Sequence, residues 1–339
     1  MPNIAALSIA LLAALLSLSC ATTRSAPSQR TAVWWTAAPL LSGLQGNRND
    51  TSAGDSHGGL VLLDSSSLRP VLWTRGGSGY VEMKVSDTSW AGIHLERVAV
   101  VTSWQGSRYH PESIRAISGD SLVMRSTVLR ILDVASSAGS QLFLDLQGAT
   151  PDDLPGLVDF TRAVREAARR IGRSPVGIIV PATDTIAYPT EILARVADVI
   201  VVRLQGEHRE GTSPGPLASP EFITRTLGSR ATGLGASRLV AELPLYGLRW
   251  NRDGSVTPTT FAEAHALVHR EAGTFRRDPA SQFLTASGRD GWTLWIPDAR
   301  TIDAMMEAAQ RRGVNRFALS GVEGADPALR ARSWRPVRR

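Results

Sequence analysis

Short apolar runs alternate with longer amphipathic runs over most of the chain, from about residue 97 to residue 320. Short, largely β-branched runs are typical of buried parallel strands. They are Val98–Ser103, Leu142–Leu146, Val176–Val180, Val199–Leu204, Leu239–Leu243 and Arg316–Leu319. The intervening runs have helical periodicity, and they are Ser121–Ser137, Leu154–Ile171, Thr190–Val196, Pro220–Thr226, Thr260–Ala272 and Thr301–Arg312. This alternation predicts a parallel sheet, and the number of repeats favours a (β/α)₈ TIM barrel of the α/β class.

Residues 32–95 have a weaker pattern. Strand-like runs occur at Val33–Thr36, Leu60–Leu63 and Tyr80–Val85, separated by turns rich in Gly and Ser. We expect this part to supply the first two barrel strands, with an irregular excursion between them. A chain of 339 residues is long enough for one large barrel domain. We therefore predict one domain over residues 32–335, followed by a tail at residues 336–339.

The amino terminus differs from the rest of the chain. Ile4 to Leu18 is apolar but too short to span a bilayer comfortably, and it is followed by Cys20, the only cysteine. This arrangement resembles a bacterial lipobox, which implies a signal peptide at residues 1–19 and a lipidated Cys20. Residues 20–31 would then form a flexible tether to the cell envelope, and Ala21 favours the outer membrane. The alternative is an ordinary signal peptide with an incidental cysteine.

Charge and composition exclude several functions. The net charge is +6, but Lys84 is the only lysine and the arginines are scattered through the predicted helices. No groove motif of basic and aromatic residues accompanies this charge, so nucleic acid is not an expected partner. The six histidines are dispersed and form no recognised metal-binding spacing, so we predict no metal and no cofactor.

The most informative segment is the apolar strand that ends at Asp145 and is followed by Gln147 and Gly148. Side chains alternate along a strand with period two, so Asp145 and Gln147 point the same way. Functional groups of a parallel barrel lie at the carboxyl ends of its strands. The chain therefore places one carboxylate and one amide where a pair of carboxylates would suit a glycosidase.

This segment resembles the catalytic motif of the family 18 glycoside hydrolases, D-x-x-D-x-D-x-E followed by glycine. The motif positions fall on Ser140, Phe143, Asp145, Gln147 and Gly148. Four further segments resemble the family in the same order along the chain. They are residues 197–208 (a strand ending M-x-Y-[DN], with the loop at 211–219), 243–247 (L-P-x-Y-G), 295–301 (W-x-x-D-A) and 313–321 (the last strand).

The resemblance implies substrate-assisted hydrolysis of N-acetylated glycans in the family, with the motif glutamate as the acid. The aspartate two residues earlier orients the substrate's acetamide with help from a tyrosine. Here the acid position is Gln147, the tyrosine position is Gln205, Gly206 replaces an Asp or Asn, and Phe317 replaces a tryptophan under the sugar. These four changes predict a non-catalytic barrel that binds peptidoglycan or a chitin-type oligomer.

The surviving polar and aromatic side chains are candidate glycan contacts. They are Trp104, Asp145, Gln147, Gln205, Glu207, Tyr246, Trp250 and Phe317. Glu242 lies inside an apolar strand and must be paired or protonated, and the inward Arg203 is its expected partner. Two alternatives remain open, namely a barrel that serves protein–protein contacts and an active glycosidase with a relocated acid such as Glu207 or Glu242.

Overall fold

The computed structural model describes most of the chain from residue 98 onward and isolated strands before it. The described ranges are 31–36, 60–64, 71–74, 77–80, 98–105, 108–138, 141–172, 175–321 and 324–329. Side chains are described at 100–103, 109–133, 142–172, 175–321 and 324–329. Cys20, the predicted signal peptide and residues 20–30 of the predicted tether lie outside these ranges, whereas Thr31, the last residue of that tether, begins the first described strand.

In the described part of the chain, seven strands form the parallel portion of the main sheet. In spatial order they are β1 (Thr31–Thr36), β17 (Arg316–Ser320), β11 (Leu239–Pro244), β10 (Val199–Arg203), β9 (Val176–Pro181), β8 (Gln141–Asp145) and β5 (Val98–Thr102). Every neighbouring pair in this order is parallel. The two outer strands, β1 and β5, also approach each other, so the sheet curls towards closure. The predicted alternation of parallel strands and helices is confirmed.

The strands before β5 depart from the sequence expectation. The strands β2 (Leu60–Asp64), β3 (Val71–Thr74) and β4 (Gly77–Tyr80) form an antiparallel meander that extends the sheet beyond β5. Strand β2 pairs antiparallel with β5, with Val61 opposite Thr102. Only the first of the two expected parallel strands, β1, is therefore found among the described residues of 32–95.

Seven helices accompany the described sheet. They are α1 (Glu112–Ser118), α2 (Ser121–Ala138), α3 (Leu154–Arg170), α4 (Thr190–Val196), α5 (Pro220–Arg230), α6 (Phe261–Arg270) and α7 (Ala299–Gln310). The predicted helices are confirmed to within a few residues at each end, and α1 was not predicted. Polar caps explain several of the boundaries, because side-chain oxygens satisfy the first free N–H groups of a helix. Thr150 caps the turn before α3, and Asp298 caps α7.

An antiparallel sheet is inserted between β11 and α7. It contains β12 (Tyr246–Trp250), β13 (Val256–Thr260), β14 (Arg276–Arg277), β15 (Leu284–Ser287) and β16 (Thr293–Ile296), in the order β13-β12-β16-β15-β14. One face of this sheet packs on α6 through a small apolar cluster that contains Trp292 and Leu294. The insertion stands beside the carboxyl end of β11. A short hairpin of β6 (Trp104–Gln105) and β7 (Arg108–Tyr109) follows β5.

The parallel strands have two apolar faces. The outward face packs on the helices in one large cluster, whereas the inward face forms a smaller cluster inside the barrel. The inner cluster contains Val100, Phe143, Ile179, Val199, Val201, Val240 and Ala318. Strands with apolar residues on both faces are expected of a parallel sheet covered by helices. No helix in the described part of the chain is long and apolar enough to span a bilayer.

Candidate functional site

The candidate site lies directly above the inner apolar cluster, at the carboxyl ends of the parallel strands. Five strands each carry a polar side chain two residues after their side chain in the inner apolar cluster. These polar residues are Thr102, Asp145, Arg203, Glu242 and Ser320. Because side chains on a strand alternate, all five point into the barrel mouth. All five are buried, which places two carboxylates and one guanidinium in a region largely excluded from water.

Asp145 is bound by four neighbouring side chains. Arg203 donates from Nη1 to both Asp145 oxygens, at 3.1 Å to Oδ1 and 2.9 Å to Oδ2. Gln147 Nε2 donates to Oδ1 at 2.9 Å, and the Tyr109 hydroxyl donates to Oδ2 at 3.0 Å. Thr102 lies at 3.4 Å from Oδ2. With only 1% of its surface exposed, Asp145 has its hydrogen-bonding capacity occupied from within the protein.

Glu242 shares the same guanidinium. Arg203 Nε donates to Glu242 Oε1 at 2.9 Å, which confirms the pairing expected from the sequence. Arg203 Nη1 also contacts the Tyr109 hydroxyl. One arginine from β10 therefore bridges a carboxylate on β8 and another on β11, across the centre of the barrel mouth.

The pKa directions follow from burial and charge. Burial raises the pKa of Glu242, and the opposing effect of Arg203 offsets only part of that rise. Burial alone would lower the pKa of Arg203, but the carboxylates of Asp145 and Glu242 raise it well above its ordinary value. Burial also raises the pKa of the Tyr109 hydroxyl, so Tyr109 remains a donor. The guanidinium is thus permanently charged, and a proton on Glu242 would leave the network neutral.

The turn that carries Gln147 is held rigidly. The Tyr188 hydroxyl donates to the carbonyl of Leu146 and accepts from the N–H of Ala149, both at 2.8 Å, so it clamps the backbone on either side of Gln147. Gly148 has φ +83°, a conformation that favours glycine, and a side chain there would meet Tyr109 and Pro111.

The loop that carries Tyr188 is itself anchored by a buried arginine. Arg230 of α5 is 1% exposed, and its guanidinium donates to the carbonyls of Pro181, Ala182, Asp184 and Tyr188. Burial lowers the pKa of Arg230 to about 10. Such a cation satisfies several main-chain acceptors at once, so the loops after β8 and β9 form one fixed unit.

Gln205 and Tyr246 form the second polar contact at the mouth. The Tyr246 hydroxyl donates to Gln205 Oε1 at 2.6 Å, which connects the loop after β10 to the start of the inserted sheet. Burial raises the pKa of Tyr246, so this hydroxyl also stays protonated. Gln205 is half-buried, whereas Gln147 is 9% exposed, so both amides lie closer to solvent than Asp145 does.

Glu207 lies near the mouth, but its side chain stabilises the start of α5. Its Oε2 accepts from Ser219 N–H at 2.5 Å and its Oε1 accepts from Ser219 Oγ at 2.9 Å. Ser219 in turn caps α5 through the N–H of Phe222. Both carboxylate oxygens are therefore engaged in holding the start of a helix. Asp184 is similarly committed, because Oδ1 accepts from the N–H groups of Ile186 and Ala187.

The predicted aromatic contacts occupy different places. Phe317 was wrongly assigned to the sugar site, because its neighbour Ala318 points into the barrel and Phe317 therefore points outward to the helices, fully buried. Trp250 is 6% exposed, and its indole N–H has no partner in the described part of the chain. The backbone of Trp104 pairs with Tyr109 in the hairpin, and its side chain lies outside the description.

Two contacts of the site were missed by sequence reasoning. Arg203 was expected to pair with Glu242, but its contact with Asp145 was not foreseen, and Tyr109 was not considered at all. The M-x-Y-[DN] resemblance carried a usable signal, because it places methionine at the position of Arg203. A charged residue that replaces an apolar one inside a barrel demands an opposite charge nearby. In the described residues, no group of three or more His, Cys, Asp and Glu could hold a metal ion.

Comparison with known proteins gives a consistent result. No family model matches the chain. It is 22% identical over 236 residues to YdhD of Bacillus subtilis, named a sporulation-specific glycosylase, covering 65% of this chain and 56% of that protein. The chain spans about half the length of the curated relatives it matches.

Solved structures of glycan-cleaving enzymes share the fold. The spore cortex-lytic enzyme SleL of Bacillus cereus matches with a TM-score of 0.63 and 16% identity, over 71% of this chain and 60% of that one. A chitinase of Chromobacterium violaceum matches with a TM-score of 0.59 and 20% identity, and the match covers 66% of this chain and 74% of that one. These likenesses confirm the predicted barrel fold.

Proposed function

We propose that this barrel, whose fold is like that of the family 18 glycoside hydrolases, is a non-hydrolytic protein that binds N-acetylated glycans of the peptidoglycan or chitin type. The observation that carries the proposal is the double contact of Arg203 with Asp145, together with an amide at position 147. Relatives and structural neighbours named as glycosylase, cortex-lytic enzyme and chitinase support a glycan ligand.

Among the residues that the structure describes, the site lacks a group placed to protonate a leaving glycosidic oxygen. Gln147 keeps the shape of a glutamate but has no titratable proton at any useful pH. General acid catalysis typically contributes 10²–10⁴-fold, or roughly 3–5 kcal/mol of barrier. Glu242 is the one carboxyl here whose raised pKa would suit an acid, but it is 1% exposed and bonded to Arg203.

Asp145 is equally unsuited to hold a substrate. An aspartate that orients an acetamide must have a free acceptor oxygen, and both oxygens of Asp145 already receive donors from within the protein. A sugar would therefore contact the rim of the mouth, where Gln205 is half-buried and Gln147 and Tyr246 are largely buried, rather than Asp145 itself.

A second candidate function is a barrel that mediates protein–protein contacts. The observation that favours it is the burial of the mouth, where Asp145, Arg203 and Glu242 are all at most 5% exposed. A mouth filled by its own side chains no longer needs a small ligand. In that case the outer surfaces of the barrel and its insertion would carry the function.

Calorimetry with N-acetylglucosamine oligomers separates the two candidates. The wild-type protein is expected to bind, and Gln205→Ala is expected to bind about tenfold more weakly because it removes one polar contact at the rim. Gln310→Ala, on the distant helix α7, is the matched control and should bind like the wild type. No heat of binding with wild type would favour the protein-contact function.

We further propose that the protein is attached to the cell envelope, most simply the outer membrane, through a lipid on Cys20. The proposal is supported by the sequence before and after this residue. A fatty-acid analogue should label the wild-type protein, and Cys20→Ala should remove the label. A labelled Cys20→Ala variant would contradict the proposal.

A further inference from the structure

We propose that the face of the barrel opposite the mouth binds an anionic membrane surface, so that the mouth opens away from the membrane. This face, called the amino-terminal face below, comprises the starts of the parallel strands and the connections that lead into them. The inference goes beyond the proposed glycan binding. It adds an orientation to the proposed attachment through Cys20, but it rests on the arginines of this face and is tested without the lipid.

Arginines that are far apart in the sequence meet at the amino-terminal face. Each connecting helix returns the chain to the start of the next parallel strand, so the connection after the helix lies at this face. The described arginines in the last turns of α3, α4 and α7, in the connections that follow them or α5, and at the start of β17 are Arg169, Arg170, Arg195, Arg238, Arg311, Arg312 and Arg316. The described acidic residues of the same segments are Asp198 and Glu307. Positive charge is therefore in excess at this face.

Hydrogen bonds fix part of this cluster to the strand starts. Asp198 accepts from the N–H of Val176, the first residue of β9, at 3.1 Å. It also accepts from Arg165 Nε and Arg169 Nη2, each at 2.8 Å. Arg238 Nη2 donates to two main-chain carbonyls at the end of α4, at 2.6 and 2.7 Å. One carboxylate thus serves two guanidinium groups, and the remaining positive charge is not neutralised locally.

Other side chains of this face point into solvent. Arg170 and Arg311 are exposed, and within the described part of the chain their side chains form no ion pair or hydrogen bond. The side chain of Arg195 is 73% exposed although it pairs with Glu191. Ile171, which directly follows Arg170, is 53% exposed. An exposed apolar side chain among basic ones suits the boundary between lipid headgroups and acyl chains.

The point where the chain enters the barrel favours a membrane as the partner. Strand β1 begins at Thr31, in register with Arg316, so the chain enters at the amino-terminal face. Cys20 precedes Thr31 by eleven positions, and a chain of that length spans at most about 40 Å. A lipid on Cys20 would keep this face close to the bilayer. Each arginine close to an anionic membrane then strengthens binding by about fivefold.

The test measures co-sedimentation of the full-length Cys20→Ala protein with vesicles at low salt. One set of vesicles contains equal parts of phosphatidylglycerol and phosphatidylcholine, and the other contains phosphatidylcholine alone. We expect preference for the anionic vesicles, and loss of that preference at high salt. Adding Arg170→Glu and Arg311→Glu should weaken binding to the anionic vesicles at least about tenfold, because two favourable charges become repulsive.

The matched control adds Arg252→Glu and Arg289→Glu, which make the same change in net charge at two exposed positions of the inserted sheet. This control should bind within about twofold of the Cys20→Ala protein. The apolar run at residues 4–18 is present in every variant, so its contribution cancels in these comparisons.

Two results would overturn the inference. Equal weakening by the two pairs of substitutions would show that net charge, rather than the amino-terminal face, determines binding. Equal binding of the Cys20→Ala protein to both kinds of vesicle would show that the face does not recognise anionic lipid. Neither result would affect glycan binding or the labelling of Cys20, which are measured separately.

Discussion

The barrel interior contains two adjacent layers that share strands, direction and burial but differ in chemistry. The lower layer is apolar and includes Phe143, Val201 and Val240, whereas the upper layer, two residues further along the same strands, contains Asp145, Arg203 and Glu242. The lower layer depends on shape, because its contacts are non-directional. The upper layer depends on charge balance, because each of its charges is stable only while the others are present.

The largest expected effect is the loss of the shared cation. Arg203→Met, which introduces the residue that the M-x-Y-[DN] resemblance places there, leaves two buried carboxyl groups without their common partner. Breaking a buried ion pair in this way costs about 3–5 kcal/mol. Urea unfolding should show this loss. Arg225→Met is the control, because Arg225 belongs to an exposed pair with Glu221 and should change stability by less than about 0.5 kcal/mol.

If Arg203→Met were as stable as the Arg225→Met control, the upper layer would not depend on charge balance. The two layers would then not differ in what stabilises them.

The next effect concerns shape in the lower layer. The ring of Phe143 lies against Gly177, where an added Cβ would approach the ring to 2.2 Å. Gly177→Ala should therefore cost about 1–3 kcal/mol through overpacking. Phe143→Leu makes room, so the double variant should be more stable than the sum of the two single changes predicts. Simple additivity in urea unfolding would show that the two residues do not pack as described.

The smallest expected effect is the change of stability with pH that comes from protonation of Glu242. Because the folded-state pKa of Glu242 is raised, its contribution to stability is greatest below its ordinary pKa and declines as the pH rises through the raised value. Glu242→Gln keeps an acceptor for Arg203 and removes the titration. Relative to wild type, the variant should become more stable as the pH is raised from 5 to 8, above the ordinary pKa of a glutamate. An identical pH dependence in both proteins would mean that Glu242 does not titrate in this range.

The strands and helices after residue 97 were largely predictable, because buried parallel strands and amphipathic helices have distinct local patterns. The α3 helix and its Thr150 cap are examples. The inserted sheet was not predicted, because its strands at residues 246–260 and 284–296 are short and lie on either side of the strong helical pattern of α6. The misplacement of Phe317 came from aligning a motif without applying the alternation of side chains along β17.

The residues of the site were largely predictable from the sequence, but the hydrogen bonds between them were less so. The position of Asp145 and Gln147 at a strand end and the pairing of Glu242 with Arg203 follow from local rules. The contacts of Asp145 with Arg203 and Tyr109 join residues 58 and 36 positions apart. No local pattern specifies such contacts, because they depend on the order of strands around the barrel.

We propose that internal bonds to Asp145 and an amide at position 147 make the barrel catalytically silent. This proposal is tested by the release of reducing ends from N-acetylglucosamine oligomers by the wild-type protein. We expect a rate equal to that of buffer, and we expect little recovery in Gln147→Glu, because Arg203 still holds Asp145 and Gln205 still replaces the tyrosine. Wild-type turnover well above buffer that is abolished by Glu242→Gln would contradict it.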